Sequence, residues 1–249
     1  PHELWLMTVL IAVLSFTGYA AVRLMGEARG LVLSAMAGAL VSSTTGTLVN
    51  ARLSVENREH PNPLLGLAIC AAWIVSVTRM TAIAVTLNPV LLQPLALPVL
   101  AALAALGGAS LVLHKFADHE KVVGSIKFDN PLDIAFVLKF GLLLSVVSVA
   151  AKLANDYSGH EGFLGIAGLS GFVDVDPIAV SAARSAGRTI APNTAAEGIL
   201  LAGAANLVTK MVLPLVISGW RFGGRLLFTG IAAIAAGGGA WYLAAYGVR

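Results

Sequence analysis

About eight apolar runs, each close to twenty residues long, follow one another along this chain, and that pattern leaves few folds open. They are Leu4–Leu24, Leu31–Ala51, Leu64–Thr86, Val90–Leu113, Leu132–Leu153, Phe163–Ala183, Ala195–Ile217 and Leu226–Tyr246. An α-helix needs about 20 apolar residues to cross the hydrocarbon of a bilayer. A membrane β-barrel would show runs of about ten residues that alternate polar and apolar, whereas these runs are apolar on all sides. The reading is an all-α integral membrane protein. Charge agrees, since Asp, Glu, Lys and Arg make up 12% of the 249 residues, about half the share of a soluble domain. The net charge of +3 needs only Lys and Arg near the ends of runs, where membrane interfaces favour them. No Lys/Arg-rich stretch with interleaved aromatics points to nucleic acid. Cys70 is the lone cysteine, so no internal disulfide is expected. The first apolar run follows Pro1 without the charged stretch and cleavage site of a signal peptide, and the expectation is a chain cut from something longer.

Two of the runs are copies of each other. Gly30–Arg52 (GLVLSAMAGALVSSTTGTLVNAR) aligns without a gap on Gly162–Arg184 (GFLGIAGLSGFVDVDPIAVSAAR), glycine to glycine and arginine to arginine. Ser42 and Thr44 fall opposite Asp174 and Asp176. Further pairs follow: Arg23 and Lys152 end runs one and five, Pro61-Asn62 matches Pro192-Asn193, and Thr78-Arg79-Met80 matches Thr209-Lys210-Met211. The expected organisation is a first membrane repeat over 1–115, a polar linker over 116–129 and a second membrane repeat over 130–249. Runs two and six are expected to be broken or re-entrant. If they span, each half has four crossings and the halves are parallel. If they are re-entrant, each half has three and the halves are inverted. Loop Lys and Arg favour cytoplasmic termini.

The breaks carry the candidate site. Asp174 and Asp176 sit in the middle of an apolar run, where a carboxylate costs about 2.5–3.5 kcal/mol on insertion scales. Pro177 follows, and a proline inside a helix removes a backbone donor and clashes with the preceding turn. A break exposes carbonyls and amides that must face protein or water. Carboxylates and freed carbonyls are hard oxygen ligands suited to magnesium, calcium, manganese or a proton. On an unbroken helix the two aspartates would point about 200° apart, so a shared site needs the break. Ser42, Ser43, Thr44 and Thr45 form the matching break, with hydroxyls that either supply neutral ligands or bond back to helix carbonyls. Arg79 and Lys210 occupy equivalent positions deep in their runs and are expected to act as counter-charges or gates for the aspartates. Lys139 is a third cation of this kind. Asn206, one turn before Lys210, is a candidate site wall. Capping and internal ion pairing are the structural alternative for both aspartates. The histidines show no metal-ligand spacing. No phosphate loop, Rossmann fingerprint, nucleophile elbow or zinc motif is present. Neither an enzyme nor an ATP-driven pump is expected, and an ion gradient is the expected driving force.

These residues also carry a resemblance. Gly18–Thr47 (GYAAVRLMGEARGLVLSAMAGALVSSTTGT), Gly168–Ala183 (GLSGFVDVDPIAVSAA) and Asn206–Lys210 (NLVTK) resemble the bacterial integral-membrane domain of unknown function that commonly follows an MgtC/SapB-type domain in one polypeptide. The resemblance covers essentially the whole chain. It implies a multi-pass protein of the bacterial inner (cytoplasmic) membrane, an N-terminal MgtC/SapB-type domain preceding Pro1, and a link to magnesium or other cation homeostasis inherited from that neighbour. It implies no site residues.

The expected function is an ion-gradient-driven transporter or channel for a small ion, first a divalent cation such as magnesium. Its midplane site lies between the two broken runs. Asp174 and Asp176 bind the ion, and no cofactor is needed beyond a bound divalent cation. Two alternatives stand beside it: a proton-coupled carrier of a small anion, and a non-transporting regulatory module of MgtC type that acts through protein partners. The lipid bilayer, a small inorganic ion and a second copy in a homo-oligomer are the expected partners.

Overall fold

The computed structural model describes residues 31–56, 63–115, 149 and 159–246. The runs Leu4–Leu24 and, Val149 apart, Leu132–Leu153 lie outside the described residues, as do Lys139 and the linker 116–129. The described elements are α1 (Leu31–Glu56), α2 (Pro63–Leu87), a 3-10 turn (Pro89–Leu91), α3 (Leu92–Lys115), α4 (residues 159–173), α5 (Asp176–Ser185), α6 (Pro192–Ser218) and α7 (Trp220–Tyr246). Among the described residues four stretches are long and apolar enough to cross a membrane: Leu64–Leu87, Pro89–Leu113, Pro192–Ser218 and Trp220–Tyr246. They match runs three, four, seven and eight of the sequence reading. The chain is an all-α membrane protein.

Helix ends follow from local chemistry. Pro63 and Pro192 each stand at the first position of a helix, where the missing N–H would have no partner anyway. After Leu87 the chain turns extended at Asn88 (φ −148°, ψ 97°), and Pro89 cannot continue α2. The Asn88 side chain accepts from the Val90 N–H at 3.3 Å and so starts the 3-10 turn. α6 stops at Gly219, whose φ of +79° is a left-handed value that suits glycine. Its N–H closes the helix onto the Leu215 carbonyl at 3.1 Å.

Contacts divide the chain into two compact units that cut across helices. The first holds α1, α2 up to Ser76, α3 from Ala104, α6 from Lys210 and α7 up to Ile231. The second holds α2 from Val77, α3 up to Leu103, α4, α5, α6 up to Thr209 and α7 from Ala232. Each unit therefore takes residues from both 1–115 and 130–249.

In the first unit α1 is not one straight helix. Ser42 has φ −155° and ψ 104°, outside helical geometry. The point where a Gly46 Cβ would sit lies 4.0 Å from the Ala35 carbonyl oxygen. Residues that far apart in sequence are separated by about 16 Å on a straight helix, so the chain folds back sharply at Ser42. The second arm packs on α2 and α6. Trp73 Nε1 donates to Thr47 Oγ1 at 3.1 Å, and Ser218 Oγ donates to the Ala51 carbonyl at 2.9 Å.

In the second unit α4 lies beside α6 and runs in the same direction. His160 meets Thr194 and Glu197 at 3.3 Å each. The Phe163 ring lies against Gly198, Gly168 faces Leu201, and Gly171 packs on the Ala202 backbone. Further along, the Gly171 carbonyl accepts from Asn206 Nδ2 at 3.1 Å and the Phe172 carbonyl accepts from Thr209 Oγ1 at 3.1 Å. α2 runs against α6: the Met80 sulfur sits 3.1 Å from where a Gly203 Cβ would be. Beyond the end of α2, Asn88 Nδ2 donates to the Ala183 and Ala186 carbonyls at 3.0 and 2.9 Å, and Ala186 bridges to Ile190, just before α6 begins. α5 begins at Arg79 and ends at Asn88, so it runs with α2 and back against α4. α4 and α5 are thus the arms of a helical hairpin with Asp174 and Val175 at its tip. Residues Asp176 to Ala183 of α5 are all buried, and small Ala and Ser side chains let its backbone approach its neighbours. Met80, Leu95, Phe163, Ile178 and Ile199, from five helices, share its core.

Candidate functional site at the hairpin tip

The hairpin turns where the sequence places its Asp-Val-Asp-Pro. Asp174 still donates its N–H to the Ser170 carbonyl at 2.9 Å, as the last turn of α4 requires. The first bond of the next helix is Ala179 N–H to the Val175 carbonyl at 3.0 Å. Pro177 falls in the opening turn of α5, where no intrahelical partner is lost. The end of one helix and the start of the next leave unpaired carbonyls and amides, and side chains meet them. Asn206 and Thr209 donate to the Gly171 and Phe172 carbonyls, and Ser170 Oγ donates to the Asp174 carbonyl at 3.3 Å. Asp174 Oδ1 accepts the Asp176 N–H at 3.2 Å. Both carboxylates therefore lie at the positive end of the α5 dipole, which favours negative charge.

Asp176 is 2% exposed. Its Oδ2 lies 2.7 Å from Arg79 Nη2, in an ion pair whose side chains are 10% and 3% exposed. Its Oδ1 is also buried and accepts no hydrogen bond from the described residues. A buried acceptor left without a donor costs about 1–3 kcal/mol, and more when charged. The tip thus joins two carboxylates, a guanidinium and an oxygen with coordination capacity to spare.

The structure brings Asp174, Asp176, Arg79 and Asn206 into one unit. Arg79 is the cation that meets Asp176. Asn206 donates its amide to the end of α4. Lys210 belongs to the first unit, where it is 2% exposed and its Nζ donates to Ser76 Oγ at 2.6 Å. The hydroxyl break is in that unit too. Ser42 Oγ accepts the Thr45 N–H at 3.2 Å and donates to Thr45 Oγ1 at 3.0 Å, capping the second arm of α1. Ser43 is buried and its carbonyl accepts from Thr47 at 2.9 Å, while Thr44 is half-buried. Lys139 lies outside the described residues. Ser76, Thr209 and Asn88 are not among the site residues expected from the sequence. Only Asn88 carried a signal, as an Asn-Pro pair closing an apolar run. Among the described residues no three His, Cys, Asp or Glu side chains converge on one point.

Comparison with known proteins places the chain without assigning an activity. The family described as a domain of unknown function, DUF4010, matches residues 9–218. A protein of Aquifex aeolicus (strain VF5), described as uncharacterized, is 30% identical over 183 residues, covering 72% of this chain and 79% of that protein. No solved structure matches. The match across helices α1 to α6, hairpin tip included, makes this chain a member of the DUF4010 family.

Proposed function

We propose that this protein carries a small ion across a bacterial inner membrane, driven by an ion gradient, and that the ion is a divalent cation such as magnesium. The observation that carries the reading is the buried Arg79–Asp176 ion pair at the tip of a broken helix, with Asp176 Oδ1 left over. Ionisable groups within membrane segments are costly and mark ion pathways by default. A cation arriving at the tip gains Asp176 Oδ1 and the neighbouring Asp174 carboxylate, both hard oxygen donors. It competes with Arg79 for Asp176, so binding and release of the ion are coupled to opening and closing of an internal ion pair. The Aquifex aeolicus relative supports the bacterial setting, and an MgtC/SapB-type domain ahead of Pro1 belongs to the same proposal.

One observation favours a second reading. Each aspartate already has a protein partner, Asp174 at the Asp176 N–H and Asp176 at Arg79, the pattern of a regulatory membrane module held together by structural pairs. Flux into proteoliposomes separates the two. The protein, reconstituted beside its Asp174→Asn, Asp176→Asn variant, is assayed for divalent-cation and proton movement. Cation flux that the folded variant lacks supports the carrier. Equal flux in both removes the aspartates from the pathway. Anion flux alone transfers the role to the buried cations, and no flux in either favours the regulatory module.

A further inference from the structure

We propose that α4 and α5 form a re-entrant hairpin, which enters and leaves the membrane on one face, and that the two sequence copies are therefore inverted relative to each other. The inference concerns topology alone and stands whether or not the protein carries an ion.

Length gives the first argument. At 1.5 Å per residue, residues 159–173 extend about 22 Å and Asp176–Ser185 about 15 Å, each short of the roughly 30 Å hydrocarbon core. Only end to end would they span it, and they are not end to end. His160, at the start of α4, meets Thr194 and Glu197 near the start of α6. Ala186, just past α5, bridges to Ile190 at the same end. The tip meets Asn206 and Thr209 instead, about 20 Å further along α6. α6 is itself long and apolar enough to cross, so the hairpin goes in beside a spanning helix and comes back to where it started.

The environment fits that path. Irregular backbone at membrane depth persists only where protein or water satisfies it, and at this tip Asn206, Thr209, Ser170 and Asp174 do so.

Direction gives the second argument. Thr78-Arg79-Met80 of α2 aligns with Thr209-Lys210-Met211 of α6. Copies related by an axis along the membrane normal would place α2 and α6 parallel. In the second unit they are antiparallel, with the end of α2 at Asn88 joined through Ala186 to the start of α6. Inverted copies with an odd number of crossings each produce that arrangement.

The test is side-specific labelling of single cysteines in the full chain, in a Cys70→Ser background. Val90, Glu161 and Arg188 are exposed and are replaced by cysteine one at a time. A membrane-impermeant maleimide is applied to right-side-out and inside-out vesicles, using variants that elute from size exclusion like the unmodified protein. All three cysteines are expected to react in the same vesicle orientation and to be silent in the other. Reaction of Glu161→Cys and Arg188→Cys in opposite orientations would make α4–α5 a crossing and overturn the proposal. A protease site inserted between Gly187 and Arg188 gives an independent readout. It is expected to be cut from the side on which Glu161→Cys reacts, and cutting from the other side overturns the hairpin as well.

Discussion

Arg79 and Asp176 meet at 2.7 Å across two different helices, one long and apolar enough to cross a membrane and the other the short return arm of a hairpin. Two charges removed from water face each other there, so the pair is both a fastening and a point of weakness. Breaking a buried pair by removing one partner costs about 3–5 kcal/mol, whereas replacing both with apolar groups of similar volume is often neutral. Thermal unfolding in detergent is expected to show a large loss for Arg79→Leu and for Asp176→Asn. The double variant Arg79→Leu, Asp176→Leu is expected to recover most of it. A double variant as unstable as the sum of the singles would mean that the two side chains do not act as a pair.

Close approach of α4 to α6 rests on Gly171. A Cβ there would run into the Ala202 carbonyl, so Gly171→Ala must push two backbones apart, at about 1–3 kcal/mol for an overpacked site. Gly168→Ala is the control, because its Cβ would meet only the Leu201 side chain at 3.6 Å. Unfolding temperatures are expected to fall for the first substitution and to stay near the original for the second.

Asn88 ties the end of α2 to the end of α5 through two donated hydrogen bonds. Asn88→Ala removes both donors, and each carbonyl left unpaired costs about 1–3 kcal/mol if it stays buried. Faster hydrogen exchange is expected over residues 183–191, with α3 unchanged. Unchanged exchange in that stretch would show that the tie holds nothing in place.

Trp73 separates packing from hydrogen bonding in the first unit. It is fully buried and donates to Thr47. Trp73→Phe removes the donor and keeps most of the ring, for an expected loss of about 0.5–1.5 kcal/mol. Trp73→Ala opens a cavity and is expected to cost about 3–5 kcal/mol. Equal losses in the two unfolding curves would contradict this partition.

Much of this architecture was legible in the sequence because apolar length and polar interruption are local signals. The runs Leu64–Thr86, Val90–Leu113, Ala195–Ile217 and Leu226–Tyr246 read as spans from hydropathy alone, and the apolar helical stretches match them to within three residues at each end, except that the last begins earlier, at Trp220. The positions of the breaks were legible too. Helical geometry is lost at Ser42 and at Asp174, which the alignment pairs. The angle of each break was not legible. Proline and hydroxyl clusters say that a helix stops, but the direction of the next arm is fixed by distant groups such as Asn88 and Arg79. The contact of Lys210 with Ser76 was hidden for a similar reason. Serine is ordinary in a membrane helix, and nothing local marks Ser76 as the one that meets an ammonium. That the Asn206 amide donates to the Gly171 carbonyl at the end of α4 was not legible either, because the two lie 35 residues apart in sequence.

Magnesium titration by calorimetry asks whether Asp176 exchanges Arg79 for a cation. Three purified proteins are compared in detergent: the unmodified chain, Asp176→Asn and Arg79→Gln. Binding is expected for the first and is expected to be lost in Asp176→Asn. About tenfold tighter binding, or roughly 1.4 kcal/mol, is expected in Arg79→Gln, where that competitor is gone. Equal binding by all three would mean that Asp176 does not exchange Arg79 for magnesium.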